Sequence, residues 1–338
     1  MESDLPKRTL GRTGMEISAL GFGSAIIGDL YTNVDETVAI ETVITAVSQG
    51  VNFFDTSPLY GHGLAEHRLG SALRHGPTPD VFISSKIGRV ANPFLPRDLD
   101  TGYFGGLPHS LHFDYSYDGT MRSLEQSLLR LGRDHIDLVL IHDLEPRAHG
   151  TELGHHYRTA MEGAIPALTK LRDEGVIRGY GIGVNDADAA EKFARDSDPD
   201  AILLAGRYSL LEQPAMNSFL PLMEERNIGV ILGGVFNSGI LATGATPDSR
   251  YDYARAPESV MNRVRALEAV CARHSVMLRQ AALQFVFGHP AVSSVVLGSA
   301  TPDEVLTQIA DFQTSIPPDL WAELKHENLL PDEIPVPT

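Results

Sequence analysis

Short runs of Val, Ile, Leu and Phe alternate along the chain with longer stretches whose apolar residues recur every three to four positions. The runs have the character of strands buried on both faces, and the stretches that of helices with one apolar side. The run 17–22 is followed by a helical stretch at 35–49, 51–54 by 65–74, 81–84 by 117–131, and 136–141 by 159–174. Next, 177–184 precedes 186–195, 201–205 precedes 215–226, 228–232 precedes 258–274 and 279–287, and 293–297 precedes 302–312. Eight strand and helix units predict an α/β fold, a closed (β/α)8 TIM barrel forming one domain over 1–338. Ahead of it, 8–18 reads as a β-hairpin about Gly11-Arg12-Thr13-Gly14, and 329–338, with Pro331, Pro335 and Pro337, as an extended C-terminal tail.

The rival is an open doubly wound sheet, which would carry Gly-x-Gly-x-x-Gly between a strand and a helix. Gly21-Phe22-Gly23 runs on to Ile26 and Gly181-Ile182-Gly183 to Asp186, so neither has the third glycine, and both read as glycines at strand ends. Three connections exceed the usual loop length and are candidate functional loops. They are 88–115, with Phe94, Tyr103, Phe104, Phe113 and Tyr115; 143–157, with His149, His155 and His156; and 235–257, which follows Gly233-Gly234.

Composition narrows the function. With 43% hydrophobic and 21% charged residues, disordered and fibrous classes are excluded. The 338 residues hold 27 Lys and Arg against 44 Asp and Glu, a net charge of −17 that repels nucleic acid and anionic membrane surfaces. The expected partner is a small-molecule substrate. Cys271 is the only cysteine, which leaves no intrachain disulfide or multi-cysteine metal site and points to a reducing compartment. No run approaches the ~18 apolar residues of a membrane span, and 1–12 lacks the apolar core of a secretory signal, so the cytoplasm is the expected location. The three histidines of 143–157 lie beside Glu152 without an H-E-x-x-H pattern, and no metal is expected there.

Barrel chemistry sits at the C-terminal ends of the strands. Asp55, Lys86 and His142 follow three successive apolar runs, and Tyr60 lies five residues past Asp55 on a turn that can fold its phenol over the same mouth. A phenol with a pKa near ~10 is a poor base at neutral pH; an adjacent ammonium, here Lys86, can lower it by roughly 1–3 pH units, while Asp55 keeps the lysine charged. Singly, these residues read as readily as a turn cap, a strand-end ion pair and a core histidine. At the ends of consecutive strands of one barrel, they read as a site for proton transfer coupled to redox.

The segments Phe54-Asp55-Thr56-Ser57-Pro58-Leu59-Tyr60-Gly61, Ser84-Ser85-Lys86 and Leu140-Ile141-His142-Asp143 resemble the catalytic tetrad of the aldo-keto reductases, and the likeness extends over about 8–330. The resemblance implies a (β/α)8 barrel that binds NAD(P) extended, without a Rossmann domain. It also implies Tyr60 as general acid and base, Lys86 and Asp55 as the pair that tunes it, and His142 as the group orienting the substrate oxygen. By the same likeness, Asn185 holds the nicotinamide carboxamide, and Gly23, Ser24 and Asp55 contribute from the mouth. Val235, Phe236, Asn237, Gly239 and Leu241 form the pyrophosphate loop, and Gly298, Ser299, Ala300, Glu304 and Gln308 hold the adenosine end. Ala205 departs from the family's usual glutamine, and Gly233 from the aromatic that stacks on nicotinamide, which leaves Phe236 as a candidate surface.

Where NADP-preferring relatives place Lys or Arg for the 2′-phosphate, this chain has Gly298, Ala300 and Glu304. A carboxylate repels a phosphate and accepts a hydrogen bond from a ribose hydroxyl, so NAD is the expected cofactor. Thr301-Pro302-Asp303-Glu304 equally fits a helix capping box with proline at the first helical position, and both roles can hold at once. The segments 114–119, 204–211 and 233–241 are similar to a branch of the family that oxidises cyclic hemiacetals to lactones. Within that likeness an aldose oxidised at C1, of the L-fucose or D-threo-aldose type, is the first expectation and pyridoxal the second, followed by a general carbonyl reductase or a redox-sensing subunit of low turnover. Tyr60, His142, Phe104 and Arg207 are the expected substrate contacts.

Overall fold

The computed structural model describes residues 5–75, 80–97 and 102–337. Its eight parallel strands are β1 Leu20–Gly23, β2 Phe53–Asp55, β3 Phe82–Ile87, β4 Leu138–His142, β5 Gly179–Val184, β6 Ala201–Ala205, β7 Gly229–Gly233 and β8 Val292–Leu297. They pair in chain order and β8 pairs back to β1, closing the expected (β/α)8 barrel.

Successive strand side chains point to opposite faces. Phe53, Leu138, Leu140, Ala201, Leu203, Ile231 and Val296 form an inner cluster, while Phe54, Val139, Ile141, Ile202, Leu204, Val230 and Val295 belong to the larger core beneath the helices. The N-terminal hairpin, Lys7–Thr9 paired with Glu16–Ser18, adds the fully buried Leu10, Met15 and Ile17 to the inner cluster. It sits against the strands' N-terminal ends, where the Arg8 guanidinium donates to the Val292 carbonyl at 2.8 Å and Ser293 Oγ to the Thr9 carbonyl at 3.1 Å. At its turn, Gly11 lies so close to Gly229 N that a Cβ would come within 2.3 Å, and its φ of +49° also favours glycine. The hairpin is a floor to the barrel.

Side-chain caps start several helices. Asp35 accepts from the backbone of Thr37 and Val38 ahead of Glu36–Ser48, Ser116 from Gly119 ahead of Tyr117–Leu131, and Asp186 from Ala189 ahead of Ala187–Asp196. The helix expected at 159–174 begins earlier, as Leu153–Thr159, and passes through a wide turn at Ala160–Ala164 into Ile165–Asp173. Pro166 has no N–H to return to the preceding turn, and the wide turn absorbs the missing bond. A helix that the sequence pattern left unassigned, Pro318–His326, buries Leu320, Trp321 and Leu324. The tail beyond it is irregular and anchored by the buried Leu330 and Ile334. In the 88–115 connection, Arg89–Asn92 and Ser110–Phe113 form an antiparallel ribbon, and 98–101 lie outside the described residues. Among the described residues no helix is long and apolar enough to cross a membrane.

Candidate active site

The strand alternation that fills the barrel with apolar side chains turns polar at the mouth. Asp55, Lys86 and His142 are the last inward positions of β2, β3 and β4; they lie within the strands and not beyond them, as the apolar runs alone had suggested. Lys86 Nζ is 2.6 Å from Asp55 Oδ2 and 2.8 Å from the Thr56 carbonyl, and Ser84 Oγ donates to Asp55 Oδ1 at 2.5 Å. Lys86 is 1% exposed and Asp55 2%. Gly183, at the end of β5 as expected, faces this pair, with its Cβ position 3.4 Å from Lys86 Cε.

Tyr60 reaches the same place from a tight turn after β2, in which Gly61 and His62 both have positive φ. Its ring centre is 4.8 Å from Lys86 Nζ, 6.0 Å from the His142 ring in an edge-to-face arrangement, and 6.3 Å from Tyr103. The ammonium therefore lies over the ring face, with its hydrogen bonds given to Asp55 and Thr56. Burial, Asp55, Asp143 and Tyr253 together push the Tyr60 phenol well above its ordinary pKa, against the opposing charge of Arg89.

His142 is buried and its pKa is pushed down to about 3, chiefly by desolvation and further by Arg89 and Lys86, with Asp143 opposing. Its Nδ1 is 3.1 Å from Ser57 Oγ and 3.4 Å from Arg89 Nη1, and its Nε2 is 3.4 Å from Asp143 Oδ1. Arg89 Nη2 pairs with Asp143 Oδ2 at 2.8 Å, and the guanidinium stacks 4.3 Å from the centre of Phe113. Burial alone would raise the Asp143 carboxyl, but His142 and Arg89 outweigh it and hold it below the ordinary value. Behind this group, Tyr115 donates to the His142 carbonyl at 2.8 Å and lies 2.9 Å from His149 Nε2. Desolvation, with help from His156 and Arg89, pushes His149 down to about 4.

Tyr60 and Asp55 open onto a cavity of about 280 Å³ whose lining also includes Gly23, Asn185, Asn237 and Gly298, all expected contacts. Glu145 fixes Asn185 by accepting from its backbone N–H at 2.6 Å and from Nδ2 at 3.0 Å. Ala205 and Gly233, the two departures from the family pattern, form a bare apolar floor with Leu203 and Val296. Phe236 does not line the cavity and packs against the core, so it is not the surface over that floor. Tyr31 and Tyr253 line it instead. Tyr253 stands on the hairpin Arg250–Tyr251/Ala254–Arg255, whose tip, Asp252, binds Arg147 at 3.2 Å and Arg207 at 3.1 Å.

Arg207 reaches the mouth as expected, but its guanidinium is committed to the Asn185 carbonyl and to Asp252 and Glu212. Phe104 is 67% exposed and lies off the cavity, and its neighbour Tyr103 is the residue packed beside Tyr60. Val235 and Leu241 are core residues, so only their backbone can face a ligand, and Gly239 opens onto free space. On the adenosine side, Glu304 accepts from Ala300 N at 2.7 Å, Thr301 Oγ1 caps Glu304 N, and Gln308 ties Ser299 Oγ to the Gly298 carbonyl. The residues fit an extended nicotinamide nucleotide. Ser24 Oγ and Asn237 Oδ1 are buried without a partner beside the cavity, as groups awaiting a polar ligand would be, and the glycines leave backbone accessible for close approach. Sequence reading missed Arg89, Asp143, Glu145, Ser57 and Tyr253, and it named Tyr103 only among the aromatics of the 88–115 loop. Asp143 and Glu145 could have been found as the first carboxylates after His142.

Comparison with known proteins agrees with this geometry. Residues 19–328 match the model of the Aldo/keto reductase family. The chain is similar to a pyridoxal 4-dehydrogenase of Microbacterium luteolum, 40% identical over 335 residues that cover 96% of this chain and 98% of that one. It is similar to a D-threo-aldose 1-dehydrogenase of a Pseudomonas species, 39% identical over 325 residues, covering 94% and 96%. Its fold superposes on an aldo-keto reductase from Bacillus halodurans, solved in its holo form, with a TM-score of 0.73 and 26% identity over 96% of each chain.

Proposed function

This chain belongs to the aldo/keto reductase family of oxidoreductases, whose members use nicotinamide cofactors, and on that premise we propose an NAD-dependent dehydrogenase that oxidises a cyclic hemiacetal to a lactone. An aldose oxidised at C1 is the first substrate. The observation that carries the reading is the convergence of the Lys86–Asp55 pair and His142 on Tyr60, which with Asp55 lines the cavity.

When bound, the oxidised nicotinamide supplies a hydride acceptor. The proton chemistry belongs to this chain. As the hemiacetal carbon loses hydride, its hydroxyl proton passes to the ionised Tyr60 oxygen, the carbon–oxygen bond becomes double, and His142 hydrogen-bonds that oxygen throughout. The raised pKa of Tyr60 makes the phenolate scarce at neutral pH and strongly basic once formed, so oxidation should quicken as pH rises. A cation in the cavity would favour the same ionisation.

NAD is favoured by the exposed carboxylate of Glu304 and by the absence of Lys and Arg from 297–308. The aldose reading draws on the D-threo-aldose relative and on the Arg89–Asp143 pair beside His142, since a fixed carboxylate and guanidinium suit sugar hydroxyls. Pyridoxal is the second reading, favoured by the other relative and by a cavity wall of Tyr31, Tyr60 and Tyr253 that suits a flat ring. The test is NADH formation with L-fucose, D-arabinose, L-galactose and pyridoxal, with the lactone identified in the product. Tyr60→Phe should lower kcat by about 10²–10⁴. A wild-type enzyme inert toward all four, or a Tyr60→Phe enzyme with full activity, would refute the reading.

A further inference from the structure

We propose that Arg89, held in place by Asp143, is a positioning residue that fixes the His142 imidazole in the tautomer with its proton on Nε2, facing the substrate oxygen. The inference deepens the dehydrogenase reading and rests on it for the identity of that oxygen.

The hydrogen-bond polarity carries the argument. A guanidinium has donors and no acceptor, so Arg89 Nη1, 3.4 Å from His142 Nδ1, requires a lone pair there. Ser57 Oγ, 3.1 Å from the same nitrogen, accepts from Leu59 N at 3.1 Å and has its own proton to give to that Nδ1 lone pair. With donors on Nδ1, the ring proton belongs on Nε2. Asp143 Oδ1, an acceptor at 3.4 Å from Nε2, favours the same arrangement. Three groups from three different segments thus select one tautomer. The other tautomer would present an Nε2 lone pair to the lone pairs of the forming carbonyl.

Burial opposes a second proton on the ring, and the charges around it come in pairs. Lys86 comes from β3, with Asp55 of β2 against it, and Arg89 comes from the ribbon, with Asp143 against it at the end of β4. The remaining neighbours, Tyr60 from its turn and Tyr115 on the His142 carbonyl, are phenols whose protons are tightly held. The imidazole therefore stays a neutral donor at both the alcohol and the carbonyl stage.

An ion pair joining ribbon to barrel would by itself account for the Arg89–Asp143 contact. Two observations go beyond that. A buried ion pair contributes little net stability over apolar packing, and this one is nearly closed off, its side chains 12% and 16% exposed. Asp143 also takes a backbone φ of +54°, in the left-handed region, to aim its carboxylate back at the mouth. Arg89 is clamped between Phe113 and Asp143, with its carbonyl accepting from Ser123 Oγ at 2.8 Å, so its guanidinium is held in place.

Long-range proton–nitrogen NMR of protein carrying ¹⁵N-histidine tests this without substrate, with His142→Gln used only to assign the signal. Wild type should show Nε2 protonated and Nδ1 bare through neutral pH. Arg89→Met should give a mixture of tautomers and lower kcat by about tenfold or more, with NAD affinity by calorimetry within about twofold. Arg89→Lys should recover part of both. Asp143→Asn, isosteric and uncharged, tests the acceptor side should Arg89→Met fold poorly, and should weaken the preference for Nε2. A wild-type Nδ1–H tautomer, or an Arg89→Met protein with unchanged tautomer and kcat, overturns the proposal. Failure of the wild type to reduce NAD would instead overturn the dehydrogenase reading, and the tautomer signals would still decide this one.

Discussion

Replacing Lys86 by Met separates the electrostatic role of the lysine from its packing. Its ammonium is 4.8 Å from the Tyr60 ring centre. With the phenolate charge placed at the ring centre and an effective dielectric near 20, the attraction is about 3.5 kcal/mol, a factor of about 400 in the population of phenolate. The alkaline limb of kcat/KM for NAD-dependent oxidation should therefore move upward by about 2 to 3 pH units and the neutral-pH rate should fall by about two orders of magnitude. Asp55 raises the Tyr60 pKa and is paired with Lys86, so removing the lysine alone also leaves a buried carboxylate uncompensated. That cost, about 3–5 kcal/mol, makes Asp55→Asn/Lys86→Met the necessary companion, because the double change removes both charges and should displace the limb much less. Steady-state rates across pH for wild type, single and double variants decide the matter. A folded Lys86→Met enzyme whose limb stays in place, or a double variant displaced as far as the single, would refute the assignment of Lys86 as the group that favours phenolate.

Two further outcomes follow from the structure. Wild type should use NAD with a higher kcat/KM than NADP, and Glu304→Gln, which keeps an acceptor for Ala300 N but removes the charge, should narrow the ratio by about fivefold, the Coulomb value for an exposed pair; equal use of the two nucleotides by wild type would contradict it. Stability should fall as pH drops from about 6.5 toward 4, since His142 and His149, held at about 3 and about 4, refuse protons that the unfolded chain accepts. Calorimetric Tm should decline over that window and His149→Gln should flatten the decline, whereas a Tm independent of pH there would show that the two rings are not buried neutral.

Much of this was legible in the chain because parallel strands announce themselves as unbroken apolar runs, and eight of them alternating with helices, without the glycine fingerprint of an open sheet, point to a barrel. The strand ends were less legible. Asp55, Lys86 and His142 break the apolar pattern, yet the inward and outward alternation continues through them, because the barrel interior becomes polar at the mouth. Pro317-Pro318 reads as a stop, but Pro318 occupies the first turn of a helix, where its missing N–H costs nothing. The placement of Tyr103 and Tyr253 was hidden for a different reason. Each is brought to Tyr60 by a loop, and of the two adjacent aromatics Tyr103 and Phe104 it is Tyr103, bridged to Leu30, that turns inward, a choice no local pattern encodes. Arg89 and Asp143 meet because the ribbon leaves the end of β3 beside its paired neighbour β4, which Asp143 follows.

The hairpin floor has a kinetic side. With Leu10, Met15 and Ile17 sealing one end of the barrel, traffic to Tyr60 and His142 runs through the mouth at the other. Nucleotide and substrate then queue at a common entrance, and whichever lies deeper must arrive first and depart last. Turnover in such a vessel is governed by the sequence of arrivals as much as by the chemistry at its base.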